Sequence, residues 1–137
     1  MVQAVELTLI LPAYNERASI AATIEEAFAY FERRSIVAEI IVAADGNDGT
    51  REIVREMAAQ NPYLRVIGHE ERLGKGRGIR EAVKLARGRI IGYADADNKV
   101  PIEEYSKTNG TSLHFRAHDE IEIPRMKPVR DSAVGLV

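Results

Sequence analysis

Short apolar runs alternate with longer amphipathic stretches from the amino terminus to about Lys107, the arrangement that a parallel sheet with crossover helices requires. The run Glu6–Leu11 predicts a first strand. Ile20, Ile24, Ala27, Phe28 and Phe31 then recur at helical spacing and predict a helix from Ala18 to Glu32. A second strand is expected over Glu39–Ala43. Its helix runs from Thr50, a residue suited to the N-cap, to Gln60, where Asn61-Pro62 forces a stop. Leu64–Gly68 predicts strand three. A helix over Gly78–Ala86, with Ile79, Ala82, Val83 and Ala86 along one face and Gly88 ending it, leads to strand four at Arg89–Ala94. The fold class is therefore α/β, a mostly parallel sheet of about four strands flanked by helices. From residue 108 to 137 the periodicity stops; Glu120–Ile123 alternates as a short strand does.

Right-handed crossovers place the carboxyl ends of all parallel strands on one edge, where open α/β sheets bind their ligands. The chemically unusual segments each follow a strand. They are Pro12-Ala13-Tyr14-Asn15-Glu16, Asp45-Gly46-Asn47-Asp48-Gly49-Thr50, Arg72-Leu73-Gly74-Lys75-Gly76-Arg77-Gly78 and Asp95-Ala96-Asp97-Asn98. All four are expected to converge on one crevice.

Asp95 and Asp97, one residue apart beyond a strand, can turn both carboxylates toward one hard cation, Mg²⁺ or Mn²⁺, whose remaining shell is filled by substrate phosphates and water. An isolated Asp-x-Asp is more often a solvated acidic turn; its place after strand four favours the metal. The glycine-rich run Gly74–Gly78 allows close backbone approach, and Lys75, Arg77 and Arg80, with Arg72 before them, bring positive charge to a helix N-terminus, a setting suited to diphosphate. Taken alone, such a run is more often a flexible loop. It is not a Walker A loop, because Gly76 follows Lys75 where Ser or Thr is needed. Asp45 and Asp48 can bond ribose or base, or make an Asx turn that caps the next helix, the role favoured for Asp48. Tyr14 can stack on a base and Glu16 accept its hydrogens, or Asn15-Glu16 can simply begin a helix. His114 and His118, four apart, could share a helix face for a metal, but the segment shows no clear helical period and unliganded histidines are the commoner case, so no metal role is assigned to them.

The 137 residues fit one domain, and a formal net charge of -2 provides no basic field for nucleic acid, so any anion must be held by local groups. The absence of cysteine excludes disulfides and zinc-thiolate sites. No signal peptide or membrane span is read from the start of the chain, which predicts a cytoplasmic protein. The sequon Asn109-Gly110-Thr111 carries no weight without a secretory signal.

Leu11-Pro12-Ala13-Tyr14-Asn15-Glu16, the Asp45–Thr50 turn, Gly74-Lys75-Gly76 and Asp95-Ala96-Asp97 resemble, in order and spacing, the family 2 glycosyltransferases of the Rossmann-like GT-A fold. With Pro101-Ile102-Glu103-Glu104 following, the chain looks most like dolichyl- or polyprenyl-phosphate mannose and glucose synthases. The resemblance covers about residues 5–107 and implies a nucleotide-sugar-binding half-domain over 1–107. It implies that Pro12, Ala13, Tyr14 and Glu16 line the nucleoside and that Asp45 lies beside ribose or base. Lys75 and Arg77 would address the diphosphate, with Asp95 and Asp97 on ribose, diphosphate and metal. The chain departs from the family where Ala44 precedes Asp45 in place of a second acid. It departs again over 108–137, a divergent tail unlike the family's acceptor half, as in a truncated or frameshifted product.

The implied reaction is an inverting attack on the donor's anomeric carbon, with Lys75 or Arg77 and the metal neutralising the departing nucleoside diphosphate. A polyprenyl phosphate acceptor arrives already ionised, whereas a saccharide hydroxyl needs a base, for which Asp119 and Glu120 make no case. A lipid acceptor implies peripheral association with the cytoplasmic membrane face, and an uncovered sheet edge allows a homo-oligomer. The competing reading is a non-catalytic or incomplete nucleotide-sugar-binding module. A sugar nucleotidyltransferase would carry a glycine- and arginine-containing loop after strand one, and Pro12–Asn15 is not that loop.

Overall fold

A computed structural model describes residues 4–94 and 114–117 of the protein. The order of elements is β1 (Leu7–Tyr14), α1 (Ile20–Arg33), β2 (Ala38–Asp45), α2 (Thr50–Ala58), β3 (Leu64–Ile67), α3 (Lys75–Leu85), β4 (Ile90–Tyr93) and β5 (His114–Ala117). The sheet runs β3-β2-β1-β4-β5. The four strands anticipated from the sequence are all parallel to one another, and β5 adds an antiparallel edge with Ile90 opposite Ala117 and Tyr93 opposite His114. Strand order reverses about β1, the kind of switch point where such sheets open a crevice.

β1 and β2 are buried on both faces, which is why their sequences read as nearly continuous apolar runs. Leu7, Leu9 and Leu11 of β1 and Ile40 and Val42 of β2 share one core with Ile20, Ile24, Ala27 and Phe31 of α1 and Val54 of α2. Ile10, Ile41, Ile91 and Tyr93 point to the opposite face, where α3 covers them with Ile79 and Ala82. The alternation along each strand therefore sorts residues between two helical layers.

Several boundaries differ from the sequence reading for physical reasons. β1 continues through Pro12, Ala13 and Tyr14, because Pro12 still fits an extended backbone and the pairing with β2 runs on to Tyr14 opposite Asp45. The chain turns only at Asn15, which takes φ 55, so Asn15-Glu16 does not begin α1. Lys75–Gly78 forms the first turn of α3 rather than a loop before it. Gly78 tolerates this because a Cβ there would stand 3.0 Å from the Ala43 Cβ; glycine lets the helix lie close on the end of β2. Thr50 is the first helical residue, and the N-cap is Gly49 at φ 102. Gly88 does not end α3, which stops at Leu85; it passes so near β1 that a Cβ would overlap the Thr8 amide nitrogen. The short strand anticipated at Glu120–Ile123 lies outside the described residues. His114 lies on β5, not on a helix, and the other member of the proposed pair, His118, lies outside the described residues.

Below the site, at the amino edge, Glu39 is fully buried and serves as a polar rivet. Its Oε1 accepts from Arg65 Nη2 at 2.8 Å and Arg87 Nε at 3.0 Å, and its Oε2 accepts from the Thr8 hydroxyl at 2.7 Å and the Arg87 amide at 2.6 Å. Thr8 Oγ1 in turn accepts from the Gly88 amide at 2.8 Å. One carboxylate thus ties β1, β2, β3 and the approach to β4. Burial pushes its pKa up, but the hydrogen bonds from Arg87 and Thr8 and the Arg65 charge outweigh that and hold it below 4.5.

Candidate functional site

Adjacent parallel strands in register deliver Tyr14 and Asp45 side by side at the carboxyl edge. The loop after β3 and the start of α3 close over them. The resulting cleft, of about 130 Å³, is lined by Pro12, Ala13, Tyr14, Ala43, Asp45, Arg72, Gly74, Lys75 and Gly78. A larger hollow of about 340 Å³ lies at the opposite edge between Phe28, Phe31, Ile36 and Tyr63. Its single charged wall is Glu32, so size points there but chemistry points to the smaller cleft.

The Arg72 guanidinium stacks over the Tyr14 ring at 4.3 Å, and Lys75 Nζ lies 5.2 Å above the Tyr93 ring. No side chain caps α3 at Gly74, so its dipole adds partial positive charge beside Lys75. Two cations and a helix start thus face one carboxylate, an arrangement for a polyanion with an aromatic platform beside it.

Asp45 is already engaged. Its Oδ2 accepts from the Leu73 amide at 2.8 Å and its Oδ1 from the His69 amide at 3.2 Å, so it holds the loop that carries Arg72. Arg51, which the sequence reading passed over, fastens the same loop from the other side. Its Nη1 is shared among the carbonyls of Ala44 at 2.8 Å, Gly46 at 2.6 Å and His69 at 2.9 Å. A signal for it existed: a cation in the first turn of a helix opposes the dipole and implies a nearby partner. Substituting Arg51 with Ala leaves three carbonyls without this charged donor and is expected to cost about 2–3 kcal/mol, read from urea unfolding midpoints.

Asp48 makes the Asx turn. Its Oδ1 accepts from the Thr50 hydroxyl at 2.7 Å and the Thr50 amide at 3.1 Å, and its Oδ2 from the Arg17 amide at 3.3 Å. Partial burial raises its pKa, but these bonds prevail and hold it below 3.8. Of the residues singled out in the sequence, Pro12, Ala13, Tyr14, Asp45 and Lys75 line the cleft. Glu16 and Arg77 do not: Glu16 accepts from the Ser19 hydroxyl at 3.1 Å before α1, and Arg77 faces Glu81 at 3.8 Å on the outer side of α3. Asp95 and Asp97 lie outside the described residues. The last described residue before them, Ala94, donates its amide to Ile10 at 3.1 Å, which carries the chain out beside β1 at the same edge. Among the described residues no group of three or more His, Cys, Asp and Glu side chains could hold a metal, and no helix is long and apolar enough to cross a membrane.

Comparison with known proteins decides the lineage. The family model for glycosyl transferase family 2 matches residues 8–108. The chain belongs to this family. A dolichyl-phosphate beta-glucosyltransferase of Trichomonas vaginalis is 36% identical over 106 residues, which cover 73% of this chain and 32% of that protein. The dolichyl-phosphate beta-glucosyltransferase of Drosophila melanogaster is 33% identical over 110 residues, covering 74% and 34%. Among solved structures, a mannosyltransferase of Pyrobaculum calidifontis in complex with GDP-Man and Mn²⁺ superposes with a TM-score of 0.59 at 30% identity, covering 67% of this chain and 27% of that one. The chain therefore spans about a third of the length of the family 2 relatives it matches. The GT-A fold expected from the sequence is the fold found.

Proposed function

We propose that the cleft binds the nucleoside diphosphate of a sugar donor, and that the whole enzyme transfers the sugar with inversion to a lipid phosphate such as polyprenyl phosphate. The supporting observation is the convergence of the Tyr14 platform, Arg72, Lys75 and the uncapped start of α3 on one edge, beside the strand that leads into Asp95. Tyr14 would stack on the base, while Pro12, Ala13 and Asp45 shape the nucleoside end. Glu16, outside the cleft lining, would reach the nucleoside from its rim. Lys75 would neutralise charge growing on the diphosphate as the anomeric bond breaks, in a setting fixed before reaction, and Arg77 would add a longer-range field. Asp95 and Asp97 are hard oxygen donors matched to Mg²⁺ or Mn²⁺, which would supply Lewis-acid charge to the diphosphate. An ionised phosphate acceptor needs no general base, in keeping with a described cleft whose one carboxylate, Asp45, is already committed to two amides.

The test is a thermal shift with UDP, GDP and their sugar conjugates, with and without Mn²⁺. Saturation at ~100 times the dissociation constant adds about 2.7 kcal/mol of stability, a displacement that is easily read. One nucleotide is expected to shift the transition in a metal-dependent manner. Asp97→Ala should abolish the metal-dependent part while leaving the unliganded transition in place; a retained shift in that variant would sink the metal assignment. Binding without sugar transfer would favour the second reading, a donor-binding module.

A further inference from the structure

Charge is distributed unevenly between the two helical layers. α1 carries three glutamates and one arginine, and α2 carries two acids and two bases. α3, alone among the described helices on its face of the sheet, carries Lys75, Arg77, Arg80 and Lys84 against Glu81. With Ile79 and Ala82 buried against the sheet, the helical period places Arg77, Arg80 and Lys84 together on the outer side, and all three are exposed. Arg87 and Arg89 follow, also exposed, although Arg87 is committed to Glu39. The acids nearest in sequence are Glu81, which faces His69 and Arg77, and the exposed Glu70 and Glu71 of the loop before α3. In a chain of net charge -2 this is a concentrated basic face. Leu85 stands beside it at 41% exposure, one of only two large hydrophobic side chains so exposed among the described residues.

We propose that the outer face of α3 docks the domain on an anionic membrane surface, with Arg80 and Lys84 against lipid headgroups and Leu85 at the interface. Clustered Lys and Arg on one helix face match the negative potential of such a surface, and an adjoining leucine adds apolar contact that a purely solvated face has no use for. Single-stranded nucleic acid is the poorer match, because α3 carries no aromatic residue for base stacking, and duplex DNA is set against vesicles in the test below. The helix itself begins at Lys75, on the wall of the cleft, so docking would bring the site close to a phosphate carried in the membrane plane. The purpose of this docking rests on the lipid-phosphate reading above, but the docking itself does not.

Flotation with phosphatidylcholine vesicles, with and without phosphatidylglycerol, tests it. The protein should float only with the anionic vesicles and be released by raised salt. Each basic residue at the surface is worth about fivefold in partitioning, so Arg80→Glu with Lys84→Glu should lower it more than about twentyfold. Arg55→Glu on α2, across the sheet, should leave it within about twofold if α3 is the docking face. Absence of flotation, equal loss in the α2 variant, or binding to duplex DNA in place of vesicles would each overturn the proposal. The donor-induced thermal shift is recorded on the same samples. Flotation without a shift would leave the docking face standing and remove the donor site, and a shift without flotation would do the reverse.

Discussion

Replacing Glu39 with Ala is expected to destabilise the protein by about 3 kcal/mol, because it removes the buried acceptor shared by the Thr8 hydroxyl, the Arg87 amide and two partly exposed arginines. Arg65, Arg87 and the Thr8 hydroxyl all donate to this carboxylate, and the Arg87 amide does so from the backbone. Glu39→Gln should be almost as severe. A carboxylate offers only acceptors, whereas the glutamine amide would turn an NH₂ toward groups that also donate. Urea unfolding at neutral pH reads both variants; a loss below about 1 kcal/mol in either would show that the network is not a unit. The pH dependence has a definite sign. The folded-state pKa lies below the ordinary value of 4.5, so the stabilisation is complete above 4.5 and declines as pH falls through the lower, folded value. Asp48 adds to the same slope from 3.8 downward. The wild-type midpoint should therefore fall steeply in this acid range, and Glu39→Gln should flatten the part that begins at 4.5.

Gly68→Ala is expected to be the second large effect, and it connects the fold to the site. Gly68 sits at φ 152, where a Cβ would overlap the Ala44 carbonyl oxygen and press on the Arg51 side chain at 3.0 Å. Backbone cannot give way as a side-chain tip does, so the loop itself must move. The cost should reach about 3 kcal/mol, the upper end of overpacking effects. The same displacement would pull His69 and Leu73 from Asp45 and carry Arg72 off Tyr14. Calorimetry with the nucleotide that shifts the wild type should then show affinity falling together with stability. Intact donor affinity in a destabilised Gly68→Ala protein would separate the loop from the site.

The sheet, its helices and the meeting of the segments that follow β1, β2 and β3 were legible because they rest on periodicity and crossover handedness, both local or rule-bound. The motifs were legible because they follow strands. The Glu39 network was not, since a single acid at the start of an apolar run gives no hint that Arg65 and Arg87, from two other segments, will close on it. The motif suggests a nucleoside contact or an Asx-type turn for Asp45, but not its bonds to the His69 and Leu73 amides, which only the folded loop brings near. The glycine-rich run Gly74–Gly78 suggests that Arg77 stands with Lys75 toward the diphosphate. Once that segment is the first turn of α3, the helical period carries Arg77 to the outer side. Glycine preferences mark flexible chain and tight helix packing alike, and the approach of Gly78 to Ala43 is not written in either sequence segment.

The central position of β1 has a kinetic consequence. It is synthesised before the other strands of the sheet, yet one of its two flanking partners, β4, is separated from it by α1, β2, α2, β3 and α3. The bond from the Gly88 amide to Thr8 spans 80 residues. Closing so distant a pairing is entropically slow, so the nascent chain must carry β1 with one edge bare until β4 emerges. During synthesis, the strand that later becomes the most protected in the sheet is the one most open to mispairing.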